Sequence, residues 1–314
     1  DPAGTIGAMK VLVVGASGFI GRRRAKALQD RGEEVVATGR SAARLRKAVP
    51  GATAVEWDPM EGPAPAEAFT GVDGVVNLAG EPVLGFWTGA KRKAIRESRV
   101  EGTRNLVEGM AAAGTKPKVF VSGSAIGYYG DTKHNAVHED AAAGSGFLAE
   151  VCKDWEAEAA RARELEVRTA IVRTGVVLGK GGGAYAKMTL PLRTGLGGTI
   201  GLGRFWMSWI HLEDEVGILL QCLDNERAAY VYNGTAPNPC SNLEFTKTFG
   251  RMKKRPTVLP VPPQVLMLRY GAGASVVTTS QRVRPVRTLG LGYEFKFPRI
   301  ADAIADLEGL PAPA

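Results

Sequence analysis

The glycine-rich stretch near the N-terminus constrains the fold more than any other feature of this sequence. Residues 10–21 run Lys-Val-Leu-Val-Val-Gly-Ala-Ser-Gly-Phe-Ile-Gly, so that an apolar run of strand length enters a segment with three evenly spaced glycines. A helical pattern then continues through Ala25 and Leu28. The first glycine permits a tight turn, the second lets the backbone approach a pyrophosphate, and the third lets the helix pack on its strand. The stretch therefore predicts a strand, a phosphate loop and a helix.

This loop is a candidate binding site for a dinucleotide, because helix N-terminal N–H groups would face the phosphate charge. An ordinary strand-to-helix turn is the alternative, since a chain with 40 glycines contains spaced glycines by chance. The apolar strand before the loop and the helix after it favour the dinucleotide. The residues that we expect to contact it are Gly15, Ser17, Gly18, Phe19, Ile20 and Gly21.

The end of the second predicted strand indicates which dinucleotide binds. This strand, residues 34–38, is followed by Gly-Arg-Ser at 39–41. An acidic residue there would accept a hydrogen bond from the ribose 2′-hydroxyl, whereas an arginine accommodates a 2′-phosphate. No carboxylate occurs between residues 37 and 45, while Arg40 and Arg44 lie one helical turn apart with Ser41 as a helix cap. The predicted cofactor is NADP(H); the alternative is that Arg40 is only a surface residue.

Strands and helices alternate as far as about residue 183. Further strands are predicted at 55–59, 72–80, 119–122 and 169–173, and further helices at about 91–113 and 147–166. This alternation predicts an α/β fold, a Rossmann-type doubly wound parallel sheet with helices on both faces. We expect an NADP-binding domain over residues 10–183 and a smaller C-terminal lobe over 184–314. Residues around 205–235 are expected to contribute to the sheet.

Ligands of such sheets bind at the carboxyl ends of the strands. We therefore expect Leu78, Ala79 and Gly80 to border the cofactor, and Ser122 to contribute to the floor of the site. Asp58 follows the third predicted strand, where it either accepts a hydrogen bond from the adenine amine or begins a turn.

Composition argues against several classes of function. The net charge of +8 is scattered in short clusters without interleaved aromatic residues, which argues against nucleic-acid binding. No apolar run reaches the ~18 residues that a transmembrane helix needs. Three cysteines without metal-like spacing predict a reducing compartment, and a loose polar loop at 134–140 is no metal site.

With these motifs in place, the chain resembles the extended short-chain dehydrogenase/reductase superfamily in its NAD(P)-dependent epimerase/dehydratase style. More narrowly, it resembles the atypical branch called epimerase family protein, which occurs in bacteria, chloroplasts and mitochondria. The resemblance extends from Lys10 to about Leu307. Its motifs are 15–21, 76–82, 98–103, 124–130, 155–156, 173–179 and 209–214, and residues 281–285 and 292–295 resemble the functionally obscure terminal module of that branch.

The resemblance implies where the cofactor and the catalytic groups lie. The nicotinamide is expected toward Ser124, Thr174, Gly175 and Val176. The superfamily usually employs an Asn-Ser-Tyr-Lys set, in which the tyrosine is the acid or base and the lysine lowers its pKa. Ser124 stands at the serine position, whereas Arg99 stands at the asparagine position. No tyrosine occurs between residues 129 and 185, so the helix predicted from residue 147 cannot carry the Tyr-x-x-x-Lys pair.

Three interpretations follow from this departure. In the first, Tyr128 or Tyr129 donates the proton beside Ser124, and the protein is an NADP-dependent oxidoreductase or epimerase on an unknown carbonyl or alcohol compound. In the second, protons move through Ser124, His211 or water. In the third, NADPH is a structural or sensing ligand and the protein acts through a protein partner or a larger assembly. The resemblance also implies a soluble protein of the chloroplast stroma, of another organelle interior or of the bacterial cytoplasm.

Several residues carry both a functional and a structural interpretation. Trp87, Phe205, Trp206 and Trp209 are expected either to line the substrate side of the cleft or to belong to the core. His211 and Asp214 are either a base with its orienting partner, or a buried histidine followed by a helix-start residue. For Tyr129 the alternative to catalysis is packing.

Overall fold

The computed structural model describes residues 8–311. The strands are β1 Lys10–Val14, β2 Glu34–Gly39, β3 Thr53–Glu56, β4 Gly74–Asn77, β5 Val119–Ala125, β6 Ala136–Val137, β7 Arg168–Thr174, β8 Val176–Leu178, β9 Trp206–Met207, β10 Trp209–His211, β11 Val231–Gly234, β12 Cys240–Ser241 and β13 Arg282–Val283. The α-helices are α1 Phe19–Asp30, α2 Ala42–Ala48, α3 Gly89–Ala112, α4 Phe147–Ala160, α5 Gly183–Arg193, α6 Leu212–Asp224, α7 Asn242–Lys253, α8 Pro263–Tyr270, α9 Ser275–Thr278, α10 Val286–Gly290 and α11 Ile300–Glu308. Short 3₁₀ helices occupy Ala66–Phe69, Ile126–Tyr129, Arg161–Leu165 and Gly271–Ala274.

A seven-stranded parallel sheet forms the centre of the molecule and confirms the predicted Rossmann-type fold. Its strand order is β11-β7-β5-β4-β1-β2-β3. The chain therefore builds outward from β1 to β3 and then returns to β4 on the other side of β1. Pairing of Val14 with Asn77, and of Asn77 with Ser122, aligns the carboxyl ends of β1, β4 and β5. The order in which strands are added to the sheet reverses between β1 and β4. In sheets of this kind such a reversal opens a crevice at the carboxyl ends of the strands.

Two hydrophobic layers cover the two faces of the sheet, which explains why the strands are apolar throughout. Val11 and Val13 point to one face and pack with residues of α1 and α6. Leu12 and Val14 point to the other face and pack with residues of α3. Helix α6 and strand β11 both follow residue 183, so the C-terminal part of the chain supplies one strand and one covering helix of this layered core.

A third core lies beside the sheet and joins α5, α7 and α11. Trp209 is 0% exposed within this core, and its indole N–H donates to the Asn238 carbonyl at 3.1 Å. Trp209 is therefore a core residue rather than part of a cleft wall. Among residues 8–311, no helix is both long enough and apolar enough to cross a membrane.

A buried carboxylate attaches residues 281–297, called here the C-terminal segment, to this core. Asp214 is 0% exposed and accepts hydrogen bonds from the Tyr293 hydroxyl and from the backbone N–H groups of Lys296 and Phe297, at 3.1, 2.8 and 3.0 Å. His211, not Asp214, caps α6, because its Nδ1 accepts from the Glu213 N–H at 3.2 Å. Asp214 thus holds the C-terminal segment and does not orient His211.

Candidate functional site

The glycine loop has the close packing that its spacing predicts. Gly15 has a φ of +80°, and a Cβ there would lie 2.8 Å from the backbone nitrogen of Ala79. A Cβ on Gly21 would overlap the carbonyl oxygen of Gly15. The loop therefore lies directly against Leu78 and Ala79 after β4, and α1 packs directly on the loop.

The N-terminus of α1 is open. Gly18 is the N-cap residue and supplies no side-chain hydrogen bond, and the first turn contains no acidic residue. Ser17 and Gly18 are exposed. The first N–H groups of the helix and its dipole are thus available to an anion, which is what a pyrophosphate requires.

The ring of Phe19 closes one side of the loop. It packs against the glycine-rich segment 179–183 between β8 and α5, where a Cβ on Gly182 would lie 2.5 Å from a ring carbon. The loop motif predicts that Phe19 and Ile20 contact the cofactor directly. The structure gives Phe19 a further role, because its ring connects the loop to the start of α5.

Arg40 lies at the end of β2, exposed, and forms no ion pair with any residue in 8–311. The Ser41 hydroxyl caps α2 by accepting from the Arg44 N–H at 3.4 Å. The fold adds a carboxylate that local sequence does not reveal: β3 pairs Glu56 with Gly39, and Glu56 Oε1 accepts from the Ala42 N–H at 2.8 Å. The N-terminus of α2 therefore has an acidic neighbour beside the arginines.

Asp58 lies in a turn after β3. Its Oδ1 accepts a hydrogen bond from the Met60 N–H at 3.0 Å. This contact is the turn-forming role that the sequence analysis gave as one alternative, and it leaves the second carboxylate oxygen of Asp58 for a ligand.

The Ser124 side chain, at the carboxyl end of β5, is hydrogen-bonded to a buried ion pair. Its hydroxyl donates to Glu156 Oε1 on α4 at 2.6 Å. The Arg173 guanidinium on β7 donates to both oxygens of Glu156, at 2.8 Å each. The side chains of Arg173 and Glu156 are only 4% and 11% exposed. Burial alone would lower the pKa of Arg173, but the hydrogen bonds and charge of Glu156 outweigh it and raise that pKa.

The two adjacent tyrosines differ in their availability. The Tyr129 hydroxyl donates to Asn233 Oδ1 at 2.8 Å and accepts from Arg173 Nη1 at 2.9 Å, and burial raises its pKa to about 12. The Tyr128 ring centre lies 3.3 Å from the Arg173 guanidinium carbon. Within residues 8–311 the Tyr128 hydroxyl has no protein hydrogen-bond partner. The Tyr129 hydroxyl thus has both of its hydrogen-bond partners inside the protein, whereas the Tyr128 hydroxyl has none among the described residues.

The part of α4 that faces Gly127, in the turn that carries Tyr128, has no acid or base that works at neutral pH. Leu148 and Cys152 lie there, within 3.3 and 3.7 Å of where a Cβ on Gly127 would be. Burial raises the pKa of the Cys152 thiol to about 11, so it stays protonated at neutral pH. Arg99, expected at the asparagine position, donates from Nη1 to the carbonyl oxygens of Glu81 and Ile95 at 2.9 and 3.1 Å.

Thr174 is the last residue of β7 and pairs with Ala125 of β5, Gly175 follows it, and Val176 begins β8. The Thr174 hydroxyl donates to Glu215 Oε1 at 2.7 Å. Glu215 is 0% exposed, its second oxygen has no partner, and burial raises its pKa to about 8. A neutral carboxyl group therefore lies beneath the predicted nicotinamide contacts.

The C-terminal segment supports this site directly. The Gln281 side chain donates to the carbonyl oxygens of Ile126 and Gly130, at 2.9 and 3.1 Å, which span the turn carrying Tyr128. Asn233, the partner of Tyr129, donates from Nδ2 to the Arg284 carbonyl at 2.9 Å. The segment that sequence reasoning left without a function thus fixes the position of the tyrosine turn.

Sequence reasoning missed the residues that organise the site, namely Glu156, Arg173 and Glu215. The first two stand inside motifs that carried the family resemblance, but their 17-residue separation gives no local sign of an ion pair. Glu215 lies in a helical pattern, and nothing in that pattern indicates that its side chain is buried. No cluster of three or more His, Cys, Asp or Glu side chains that could hold a metal occurs in the described residues.

Two family models match the sequence. The model of the NAD dependent epimerase/dehydratase family matches residues 11–233. A model of a domain of unknown function, DUF1731, matches residues 261–307. The second match includes Gln281, Tyr293 and Phe297, which contact the site or the core as described above.

Curated relatives match over nearly the whole chain. The epimerase family protein SDR39U1 homolog, chloroplastic, of Arabidopsis thaliana is 38% identical over 306 residues, covering 94% of this chain and 86% of the relative. The human epimerase family protein SDR39U1 is 36% identical over 304 residues, covering 95% and 99%. An epimerase family protein of Mycobacterium tuberculosis is 36% identical over 296 residues, covering 94% and 96%.

Solved structures also match over nearly the whole chain. The crystal structure of human SDR39U1 with NADPH is similar at a TM-score of 0.85 and 35% identity, covering 96% of this chain and 99% of that chain. The UDP-glucuronic acid 4-epimerase of Bacillus cereus, in complex with UDP-glucuronic acid and NAD, has a TM-score of 0.77 at 16% identity, with coverage of 96% and 98%. The second likeness concerns the fold alone.

Proposed function

Because this chain belongs to the NAD dependent epimerase/dehydratase family, we propose that it binds NADP(H) and acts as an oxidoreductase or epimerase on a small carbonyl or alcohol compound. The bound dinucleotide supplies or accepts the hydride in such chemistry. The observation that carries the proposal is the open N-terminus of α1 at the glycine loop, with Arg40 exposed nearby at the end of β2. The human relative crystallised with NADPH supports the same cofactor.

The residues present fit each part of the dinucleotide. The backbone N–H groups of Ser17, Phe19 and Ile20 would bind the pyrophosphate, while the Gly18 N–H donates to the Gly15 carbonyl at 2.9 Å and closes the turn. Arg40 with Arg44 would bind the 2′-phosphate. Asp58 would accept from the adenine amine. The remaining contacts would come from Gly15, Gly21, Leu78, Ala79, Gly80, Ser122, Thr174, Gly175 and Val176.

We expect Arg40→Ala to weaken NADPH binding by about 10- to 100-fold, because it removes a charge-assisted contact to the 2′-phosphate. NADH lacks that phosphate, so its affinity should stay unchanged. Calorimetric titration of the nucleotide-stripped protein with both cofactors measures the difference. Arg46→Ala is the matched control, since Arg46 is another exposed arginine of α2. Equal losses for NADPH and NADH would contradict the assignment.

Tyr128 is the proton donor that we propose for the reduction. Its hydroxyl makes no hydrogen bond with residues 8–311, and the Arg173 guanidinium against its ring holds the ring in place. The Ser124 hydroxyl donates to Glu156, so its lone pairs remain available to accept a hydrogen bond from a substrate hydroxyl. Tyr129 is assigned a packing role, because both of its hydroxyl contacts are made inside the protein.

We expect Tyr128→Phe to reduce turnover by about 100-fold, the usual contribution of one general acid. NADPH affinity should be unchanged, because the ring and its contact with Arg173 remain. NADPH consumption against a panel of carbonyl compounds identifies a substrate and then measures the loss. Tyr230→Phe is the control, since Tyr230 is 63% exposed at the start of the edge strand. Full activity in Tyr128→Phe would mean that protons move by another route.

A second candidate is a nucleotide-binding protein that acts through a protein partner. It is favoured by α4, because Leu148 and Cys152 offer no acid or base to the site and Glu156, the carboxylate beside Ser124, is paired with Arg173. The network from Arg173 through Tyr129 and Asn233 to the Arg284 carbonyl could transmit cofactor occupancy to the C-terminal segment. Tight NADPH binding without turnover on the whole panel would favour this function.

A reducing compartment is also part of the proposal. All three cysteines, Cys152, Cys222 and Cys240, are buried free thiols. Such thiols persist where disulfides do not form. Both a bacterial cytoplasm and an organelle interior meet this condition.

A further inference from the structure

A large apolar surface covers part of the C-terminal lobe. Nine of the fourteen exposed large hydrophobic side chains in the described residues come from two segments of the chain, and their exposed fractions range from 42% to 87%. This C-lobe apolar surface consists of Leu190, Leu196, Leu202, Leu243, Val258, Leu259, Val265, Met267 and Leu268. Monomeric proteins seldom expose so much clustered aliphatic surface without a binding role.

The two segments lie side by side. The Val261 N–H donates to the Thr199 carbonyl at 2.8 Å, and the Gly201 N–H donates to the Val261 carbonyl at 2.9 Å. The Leu243 N–H donates to the Gly203 carbonyl at 2.9 Å. Helix α8, with the apolar sequence Pro-Gln-Val-Leu-Met-Leu-Arg-Tyr, contains no buried residue. The nine exposed side chains therefore belong to one surface and are not isolated positions.

The same segments carry the whole net charge of the protein. Residues 184–205 and 243–270 hold nine lysines and arginines and a single glutamate. The full chain holds 40 basic and 32 acidic residues, so the remaining residues hold 31 of each and are neutral. Two of the nine, Arg193 and Lys253, pair with Glu308 of α11, outside these segments. The aliphatic surface therefore shares its segments with a net positive charge on an otherwise balanced molecule.

Exposed aliphatic side chains together with a net positive charge indicate which kind of partner binds this surface. A symmetric dimer through this surface would bring two clusters of positive charge together, which is unfavourable. Protein interfaces are enriched in tyrosine and tryptophan and depleted in lysine, whereas the exposed large side chains of this surface include no aromatic residue and its segments hold four lysines. Single-stranded nucleic acid would need stacking aromatics, which the surface lacks. Aliphatic tips among lysine and arginine match an anionic lipid surface.

We propose that the C-lobe apolar surface binds the protein peripherally to bilayers that contain anionic lipid. Leucine side chains of the 194–203 loop and of α8 enter the headgroup region, while the surrounding lysines and arginines contact lipid phosphates. This inference is independent of the proposed function, because none of its residues is assigned to the cofactor or the substrate.

Vesicle flotation tests the proposal with the full chain. Phosphatidylcholine vesicles should leave the protein unbound, and vesicles that also contain phosphatidylglycerol should carry it upward at low salt but less at high salt. Leu196→Glu with Leu268→Glu, and separately Arg204→Glu with Arg255→Glu, should each weaken binding by roughly tenfold or more. Met60→Glu with Val286→Glu is the matched control, because those side chains are 46% and 49% exposed outside this surface.

Unchanged NADPH affinity and melting temperature establish that the variants are folded. The proposal is overturned if no vesicle carries the parent protein, or if the control pair loses as much binding as the surface pairs. It is also overturned if sedimentation instead finds a dimer, or a complex with an acidic protein, that Leu196→Glu with Leu268→Glu abolishes while flotation is absent.

Discussion

Replacing Glu156 with alanine is expected to lower the free energy of unfolding by about 3–5 kcal/mol, because the charge of Arg173 would stay buried without a counterion. Both side chains are nearly inaccessible, and Glu156 receives two hydrogen bonds from the guanidinium and one from Ser124. For a chain of this size the melting temperature should fall by roughly 10 °C. Chemical denaturation monitored by circular dichroism measures the change.

Two comparisons separate burial from simple loss of an ion pair. Asp30→Ala removes the exposed Lys26–Asp30 pair, whose side chains are 67% and 56% exposed, and should cost less than about 1 kcal/mol. Glu156→Leu combined with Arg173→Met removes both buried charges and should recover most of the stability lost in Glu156→Ala. A cost for Glu156→Ala no larger than that for Asp30→Ala would contradict the role given to this pair.

Replacing Glu215 with glutamine is expected to stabilise the protein at neutral pH and to leave it unchanged in acid. Burial raises the pKa of Glu215 from its ordinary 4.5 to about 8. Between these values the folded state keeps a proton that the unfolded state releases, so stability falls as the pH rises, by about 1.4 kcal/mol per pH unit. At pH 7 the glutamine variant should therefore be more stable by about 3 kcal/mol.

Unfolding measured from pH 4.5 to pH 8 tests this prediction, because the difference between variant and parent should grow steadily over that range. Glutamine keeps the acceptor for the Thr174 hydroxyl and stays neutral throughout. Glu213→Gln is the control: Glu213 is two residues away in the sequence but pairs with Arg23 and is 29% exposed. A constant difference across the range would mean that Glu215 is ionised in the folded protein.

The C-terminal segment matters to both the fold and the site. Asp214 binds three donors from residues 293–297, and Gln281 holds the two ends of the turn that carries Tyr128. These contacts join the DUF1731 part of the chain to the epimerase part. Through the two hydrogen bonds of Gln281, these contacts hold the turn that carries Tyr128 in its position.

Sequence patterns were sufficient wherever the interaction was local. The strand, loop and helix around Gly15 and Gly21 were predictable, because a turn of the backbone and the helix that follows it involve neighbouring residues. The lack of a tyrosine on α4 was equally readable, since a missing residue type needs no coordinates. Element bounds shifted by a few residues, as for α3, which begins at Gly89 rather than near residue 91.

The doubly wound sheet, the glycine loop and the lack of a tyrosine on α4 can therefore be read from the sequence, because they depend on periodicity and residue type. Only the tertiary structure decided that Arg173 pairs with Glu156, that Glu56 reaches the start of α2, and that Asp214 holds the C-terminal segment. Strand order and burial bring these distant residues together. Partners far apart in the chain, and the desolvation that changes their charge, are not encoded in any local pattern.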